Sequence, residues 1–85
     1  MSLDDIRQAR KKTIGTNQTL KLLKQFGAQV TCVYIARDAE QHVVSPVEQL
    51  AEKNTVPIVW VDTMRQLGKA CGIEVGAATA SIILN

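Results

Sequence analysis

The sequence predicts an α/β fold, a three-layer α/β/α sandwich with a small, mostly four-stranded mixed sheet. Two observations lead to this prediction. Segments in which apolar residues have helical spacing alternate along the chain with short runs of β-branched residues. The chain has only 85 residues, which suffices for a single compact domain, residues 1–85, with one small core.

The first third of the chain predicts a helix, a short strand and a second helix. The apolar positions that mark the two helices are Leu3, Ile6 and Ala9 in residues 3–10, and Leu20, Leu22, Leu23 and Phe26 in residues 17–26. Ser2 is the expected N-cap of the first helix, and Gly27 occupies the C-cap position of the second. The alternation favours a doubly wound parallel sheet as the default. Residues 12–14, between the two helices, are expected to form a strand that ends at Gly15 and pairs antiparallel, which makes the sheet mixed.

A buried strand and a third helix follow. Residues 30–36 are β-branched and aromatic, which is typical of a strand buried on both faces. Ser45 is the expected N-cap of the next helix, with Pro46 at its first position. Glu48 would complete a capping box with Ser45, and the helix would run to about Lys53.

The last third predicts a strand, a helix and a final strand. Residues 57–61 are expected to form a second buried strand, with proline at its first position, where no ladder donor is needed. Asp62 is expected to cap a helix that ends at Gly72. The apolar positions of this helix are Met64, Leu67 and Ala70. Residues 80–84 are expected to form the final strand.

Charge is distributed unevenly along the chain. The net charge is +2, but residues 1–24 carry +4 and the remainder carries −2. There is no apolar run long enough to span a membrane and no signal-peptide core at the N-terminus, so we expect a cytoplasmic protein. Cys32 and Cys71 are then expected to be buried free thiols.

Few residues offer catalytic or metal-binding chemistry. His42 is the only histidine and is expected in a loop, so the sequence suggests neither a catalytic triad nor a zinc site. Asp38 and Glu40 are expected to face solvent at the end of a strand. The chain contains no glycine-rich phosphate loop. We therefore expect no enzyme activity, no metal and no cofactor.

The most informative segment begins at Gly15, which permits a tight turn into the second helix. The first turn of a helix has free N–H groups that attract anions. Asn17 and Gln18 carry amides suited to base edges, and Lys21 lies on the same helix face. This arrangement is consistent with nucleic-acid recognition. On spacing alone, a capping role for Thr16 or Asn17 with a solvated Lys21 is the simpler interpretation.

A second informative segment follows the predicted glycine end of the last helix. Small residues are dense over residues 76–80, so the loop is expected to expose Ile73 or Val75 with little bulk nearby. Two interpretations stay open. Such a loop can pack against an unstacked base, and it can equally be a tight helix-to-strand connection.

Together these segments resemble the ribosomal L-seven-Ae/L-thirty-e family of kink-turn RNA-binding proteins, in particular its small bacterial members. The resemblance covers nearly the whole chain. It rests on Gly15-Thr16-Asn17-Gln18 with Lys21, on residues 33–39 and on residues 67–78. It implies an α/β/α sandwich that binds RNA and is not an enzyme.

The resemblance also implies roles for individual residues. Asn17 and Gln18 would contact the guanine edges of tandem sheared G·A pairs, and Lys21 the base or phosphate beside them. Gly15 and Thr16 would bring the backbone close to the RNA. The nucleotides extruded at the kink would be covered by Ile73, Glu74, Val75, Gly76, Ala77 and Ala78.

One position departs from the family pattern. Archaeal and eukaryotic members commonly carry glutamate where this chain has Gln18. A neutral amide oxygen accepts hydrogen bonds about half as strong as those to a carboxylate, so the resemblance implies weaker RNA binding here.

The expected partner is structured RNA with a kink-turn, in ribosomal RNA, a riboswitch or a small noncoding RNA, bound by a monomer. The alternative is a protein-interaction module of a ribonucleoprotein with no direct RNA contact. It would use residues 73–78, or the helix of residues 3–10 if that helix is not packed. An enzyme or nucleotide-binding domain rests only on the α/β alternation and would need a concave pocket near Asp38.

Overall fold

The structure, a computed structural model, describes residues 3–83 and confirms the predicted alternation of helices and strands. The helices are α1 (Leu3–Gln8), α2 (Thr16–Phe26), α3 (Gln41–Lys53) and α4 (Met64–Ala70), with a 3₁₀ turn at Gly27–Gln29. The strands are β1 (Lys12–Ile14), β2 (Val30–Ala36), β3 (Ile58–Val61) and β4 (Thr79–Ile83). Ser2, the predicted N-cap of α1, and Leu84, the predicted end of β4, lie outside the described residues.

The four strands form one mixed sheet in the order β1-β4-β2-β3. Strand β4 pairs antiparallel with both β1 and β2, and β3 pairs parallel with β2. The antiparallel pairing of the short first strand is as predicted. The default expectation of a doubly wound parallel sheet is wrong. Only β2 and β3 are parallel, because the last strand inserts antiparallel between β1 and β2.

Two apolar clusters lie on opposite faces of the sheet, which gives the predicted three-layer architecture. Alternate residues of β2 point to opposite faces. Tyr34 packs with Ile6 and Leu67 below α1 and α4. Ile35 packs with Leu23 below α2 and α3. Strand β2 is therefore buried on both sides, as its composition predicts.

The predicted start of α3 at Ser45 is wrong. The helix begins at Gln41, with Glu40 as its N-cap and no side-chain capping bond, and Pro46 lies inside it. Val44 and Val47, three residues apart, are both buried against the sheet. Burial of this stripe favours an extra turn before Ser45 despite the hydrogen bond that proline cannot donate.

The extra turn of α3 includes His42. His42 was expected in a loop, but it lies in the first turn of α3 with an exposed ring, its Nε2 atom 3.3 Å from a carboxylate oxygen of Glu40.

The predicted capping residue of α4 is also wrong. Thr63, not Asp62, is the N-cap, and its hydroxyl accepts a hydrogen bond of 3.0 Å from the Gln66 N–H. A second acceptor comes from a distant part of the chain, since the Asp38 carboxylate accepts from the Met64 N–H at 2.8 Å. Asp38 is thus exposed as expected, but it also caps a helix, which local sequence does not reveal.

Gly27 lies at the C-cap of α2 as predicted, but not in the left-handed conformation typical of that position. Its φ is −52°, and the chain continues into a 3₁₀ turn. A Cβ atom at Gly27 would lie 2.5 Å from the side-chain oxygen of Asn54. The glycine therefore allows close packing between the end of α2 and the end of α3.

Candidate nucleic-acid interface

Both segments singled out in the sequence lie at one edge of the sheet, called here the upper edge. Strands β1, β2 and β3 end at this edge and β4 begins there. The Gly15 N–H donates to the Thr79 carbonyl at 2.9 Å, and the Ala36 N–H donates to the Ala78 carbonyl at 2.9 Å. The start of α2 and the end of the loop of residues 73–78 are therefore adjacent.

Gly15 forms the turn into α2 with φ +104° and ψ 154°. This region of backbone space is essentially restricted to glycine. The Gly15 carbonyl accepts from the backbone N–H of Thr19 at 3.1 Å and from its hydroxyl at 2.8 Å. Gly15 itself is the N-cap, without a side-chain capping bond, so neither Thr16 nor Asn17 caps the helix. The capping role expected for Thr16 or Asn17 is therefore wrong, whereas Lys21 is exposed to solvent as the simpler interpretation expects.

The first two turns of α2 present polar side chains to solvent. Asn17, Gln18 and Lys21 are exposed, and Thr16 is half-buried. Asn17, Gln18 and Lys21 line a depression of about 320 Å³, together with Leu20 and Lys24. Among the described residues, no carboxylate forms an ion pair with Lys21. The helix start thus combines free backbone N–H groups, two amides and an unpaired cation.

Buried and half-buried hydroxyl groups fix α2 to the sheet. The Thr13 hydroxyl is hydrogen-bonded to that of Ser81 and lies 3.4 Å from that of Thr19. The Thr79 hydroxyl donates to that of Thr16 at 3.4 Å. Sequence reasoning missed this network, although Thr19 occupies a position on the buried stripe of α2, four residues before Leu23.

The 73–78 loop presents one apolar side chain. Val75 is 70% exposed, whereas Ile73 is half-buried against the core. Glu74 and Gly76 are exposed, and Ala78 is half-buried. Ala77 is only 4% exposed, and its N–H donates to the Met64 carbonyl at 3.0 Å. Of the two apolar side chains expected at the surface, Val75 is the exposed one.

Two glycines allow this loop to lie directly on α4. A Cβ atom at Gly68 would lie 2.0 Å from the Val75 carbonyl oxygen, and one at Gly76 would lie 3.1 Å from Met64 Cβ. The Ile73 N–H donates to the Gly68 carbonyl at 3.0 Å. A glycine inside a helix is unfavourable, and this was the signal in the sequence for a close approach at Gly68.

An aromatic and charged cluster adjoins the same edge. The Arg37 guanidinium lies 5.5 Å from the centre of the Trp60 ring and 3.9 Å from an Asp62 carboxylate oxygen. Trp60 is 40% exposed. The expectation that β3 is buried is therefore wrong at this residue. Nothing in the sequence singles out Trp60, because its pairing with Arg37 depends on the parallel register of β2 and β3.

The remaining candidate groups are structural. Cys32 and Cys71 are buried free thiols, as expected, and burial raises the pKa of both, which keeps them neutral. Within residues 3–83, no three His, Cys, Asp or Glu side chains converge on a possible metal position. In the same range, no helix has the length and apolar character needed to cross a membrane.

Comparison with known proteins agrees with the resemblance seen in the sequence. Residues 2–85 match the sequence profile of the Ribosomal protein L7Ae/L30e/S12e/Gadd45 family. An RNA-binding protein of Halalkalibacterium halodurans is 51% identical over 82 residues, which cover 96% of this chain and 98% of that protein. The large ribosomal subunit protein eL8 of Halobacterium salinarum is 32% identical, over 96% of this chain and 68% of its own length.

A solved structure shares the fold. The 15.5 kD RNA-binding protein of Giardia lamblia superposes with a TM-score of 0.84 and 28% sequence identity, covering 98% of this chain and 71% of that one. The family match and this superposition both extend over nearly the entire chain. This chain therefore belongs to the Ribosomal protein L7Ae/L30e/S12e/Gadd45 family.

Proposed function

We propose that this chain is a non-catalytic RNA-binding protein that recognises kink-turns, acting in the cytoplasm as a monomer with one RNA-binding domain over residues 1–85. The names of its relatives support RNA binding, since they include bacterial RNA-binding proteins and a large-subunit ribosomal protein. The observation that carries the proposal is the hydrogen bond between Gly15 and Thr79. It places the polar start of α2 beside the loop that exposes Val75.

In the proposed recognition, the start of α2 and the 73–78 loop contact different parts of the RNA. Asn17 and Gln18 contact guanine edges at the sheared G·A pairs, because an amide offers both a donor and an acceptor. Lys21 contacts the base or phosphate beside them. Gly15 and Thr16 bring the backbone close to the RNA.

The loop residues cover the extruded nucleotides. Val75 provides an apolar surface for a base, flanked by Glu74 and the small Gly76. Ile73 and Ala78 support the loop from their half-buried positions, and the buried Ala77 anchors it through its backbone.

Titration against two RNAs tests this function. One is a kink-turn RNA, and the other has its sheared G·A pairs replaced by Watson–Crick pairs. We expect the kink-turn RNA to bind at least about tenfold more tightly, since each good amide-to-base contact contributes roughly 1–3 kcal/mol of discrimination. Equal affinity for both RNAs would contradict kink-turn recognition.

Replacing Lys21 by alanine is expected to weaken binding and to reduce the salt dependence of affinity. Loss of one phosphate contact lowers the slope of log K against log salt concentration by about 1. The slope is measured from titrations at several salt concentrations. Lys11→Ala is the matched control, because Lys11 is exposed at the opposite edge of the sheet, where its carbonyl accepts from the Ile83 N–H. An unchanged slope for Lys21→Ala would exclude a phosphate contact at this residue.

A second candidate function is a protein-interaction module, favoured by the 70% exposure of Val75. The helix of residues 3–10 does not support it, since Ile6 is fully buried and Leu3 packs against the same core. If this second function is correct, neither RNA in the titration binds. The unmodified protein then captures a protein partner from nuclease-treated extract, and Val75→Ser abolishes this capture.

A further inference from the structure

A second depression, of about 340 Å³, lies between α2 and α3 on the face of the sheet that these helices cover. It is lined by Leu20, Lys24, Pro46, Gln49, Leu50 and Lys53. Leu20 and Lys24 also line the depression at the start of α2. The two depressions are therefore neighbours, and we call the second one, together with Lys21, the lysine groove.

The lysine groove carries charge of one sign. Lys21, Lys24 and Lys53 form no ion pair with any carboxylate in the described part of the chain. The two acidic residues of α3, Glu48 and Glu52, are not among the residues that line the groove.

The floor of the groove is apolar. Leu20, Pro46 and Leu50 form it, and the aliphatic parts of lysine side chains pack well on such a surface while their ammonium groups stay in water. A low-dielectric wall beside like charges concentrates the electric field and attracts anions. The groove is thus suited to an extended anionic ligand.

The spacing along α2 fits a phosphate backbone. Asn17, Lys21 and Lys24 are separated by four and three residues, so they form one stripe along the helix. Seven residues of helix span about 10 Å. Neighbouring phosphates of one strand lie only a few ångströms apart along a duplex, so a stripe of this length can meet more than one of them.

We infer that the lysine groove binds the phosphate backbone of the RNA stem that carries the G·A pairs, as a sequence-independent extension of the proposed site. This inference rests on the proposed function, because the stripe begins at the side chains assigned to the G·A pairs. In this arrangement Lys24 and Lys53 increase the affinity for RNA by contacting the stem. Discrimination between kink-turns and other RNAs depends on the start of α2.

The double variant Lys24→Gln/Lys53→Gln tests the inference with two kink-turn RNAs. One has a long stem beyond the G·A pairs, and the other ends after a single closing base pair. With the long stem, we expect the double variant to reduce the slope of log K against log salt by roughly 2. With the short stem, we expect the variant and the unmodified protein to have the same slope. Lys11→Gln is the control for loss of surface charge, and thermal unfolding verifies that each variant folds.

Each other outcome overturns the inference. If the double variant leaves the slope unchanged with the long stem, Lys24 and Lys53 do not contact phosphates of the stem. If it reduces the slope equally with the short stem, these lysines contact another part of the RNA. If Lys11→Gln reduces the slope as much as the double variant does, the reduction reflects the net charge of the protein and not a contact in the groove. If the unmodified protein prefers the kink-turn RNA over its Watson–Crick control, the proposed function stands whatever the groove does. If it shows no preference, the proposed function fails and the inference fails with it.

Discussion

The double variant Asn17→Ala/Gln18→Ala is expected to bind kink-turn RNA about 30-fold more weakly than the unmodified protein, or more weakly still. Each amide-to-base contact contributes at least about 1 kcal/mol of discrimination, and each 1.4 kcal/mol changes affinity tenfold. The variant is also expected to lose its preference for the kink-turn RNA over the Watson–Crick control. Lys21 and the free N–H groups of α2 are still present, so residual binding without discrimination is expected to remain.

The fold should tolerate these two changes. Both side chains are exposed, and neither caps α2, because Gly15 occupies that position. Surface substitutions of this kind change stability by about 0.5 kcal/mol or less. Gln29→Ala removes a matched amide that is exposed just before β2, at the edge of the sheet opposite the upper edge, and this variant should bind kink-turn RNA normally. If the double variant still discriminates between the two RNAs, Asn17 and Gln18 do not read the G·A pairs.

Gly68→Ala is expected to destabilise the protein by about 1–3 kcal/mol, which is opposite in sign to what helix propensity predicts. In an exposed helix interior, alanine is more favourable than glycine by about 1 kcal/mol. At this position the new Cβ atom would lie 2.0 Å from the Val75 carbonyl oxygen, which is backbone and cannot rotate away. The loop must move or the helix must shift.

Urea unfolding measures the change in stability, and RNA titration measures its consequence for the site. Movement of the loop displaces Val75, so we expect weaker binding of the kink-turn RNA even at temperatures where the variant is folded. Gln66→Ala, on the exposed side of the same helix, is expected to have little effect on either quantity. A Gly68→Ala protein that is more stable than the unmodified one would show that the loop does not need this close contact.

The parts of the fold that follow local patterns could be predicted from the sequence. Strand β2 is recognisable from an uninterrupted run of β-branched and aromatic residues, and α2 from its leucine stripe. The start of α3 could not be predicted, because Ser45-Pro46 is a good local start signal. Burial of Val44 against the sheet outweighs that signal, and burial depends on the tertiary structure.

In the candidate site too, local features could be predicted from the sequence and long-range contacts could not. The turn at Gly15 and the exposed polar residues that follow it are visible in the sequence, since only local backbone geometry and helix spacing are involved. The hydroxyl network of Thr13 and Ser81 joins residues 68 positions apart. The contact between Asp38 and Met64 spans 26 positions. No local pattern reveals such pairs, and the half-buried state of Ile73 follows in the same way from packing of the loop on α4.

The central place of β4 in the sheet has a consequence for biosynthesis. The strand that joins β1 to β2 follows the other three described strands in the sequence, so a nascent chain synthesised only through α4 lacks the strand with which β1 pairs in the folded structure. Contacts between residues distant in sequence form slowly, and these cannot form at all until β4 has left the ribosome. Gly15 also receives its acceptor, the Thr79 carbonyl, only at that moment. The proposed reading surface is therefore completed only after β4 has been translated and has paired with β1 and β2.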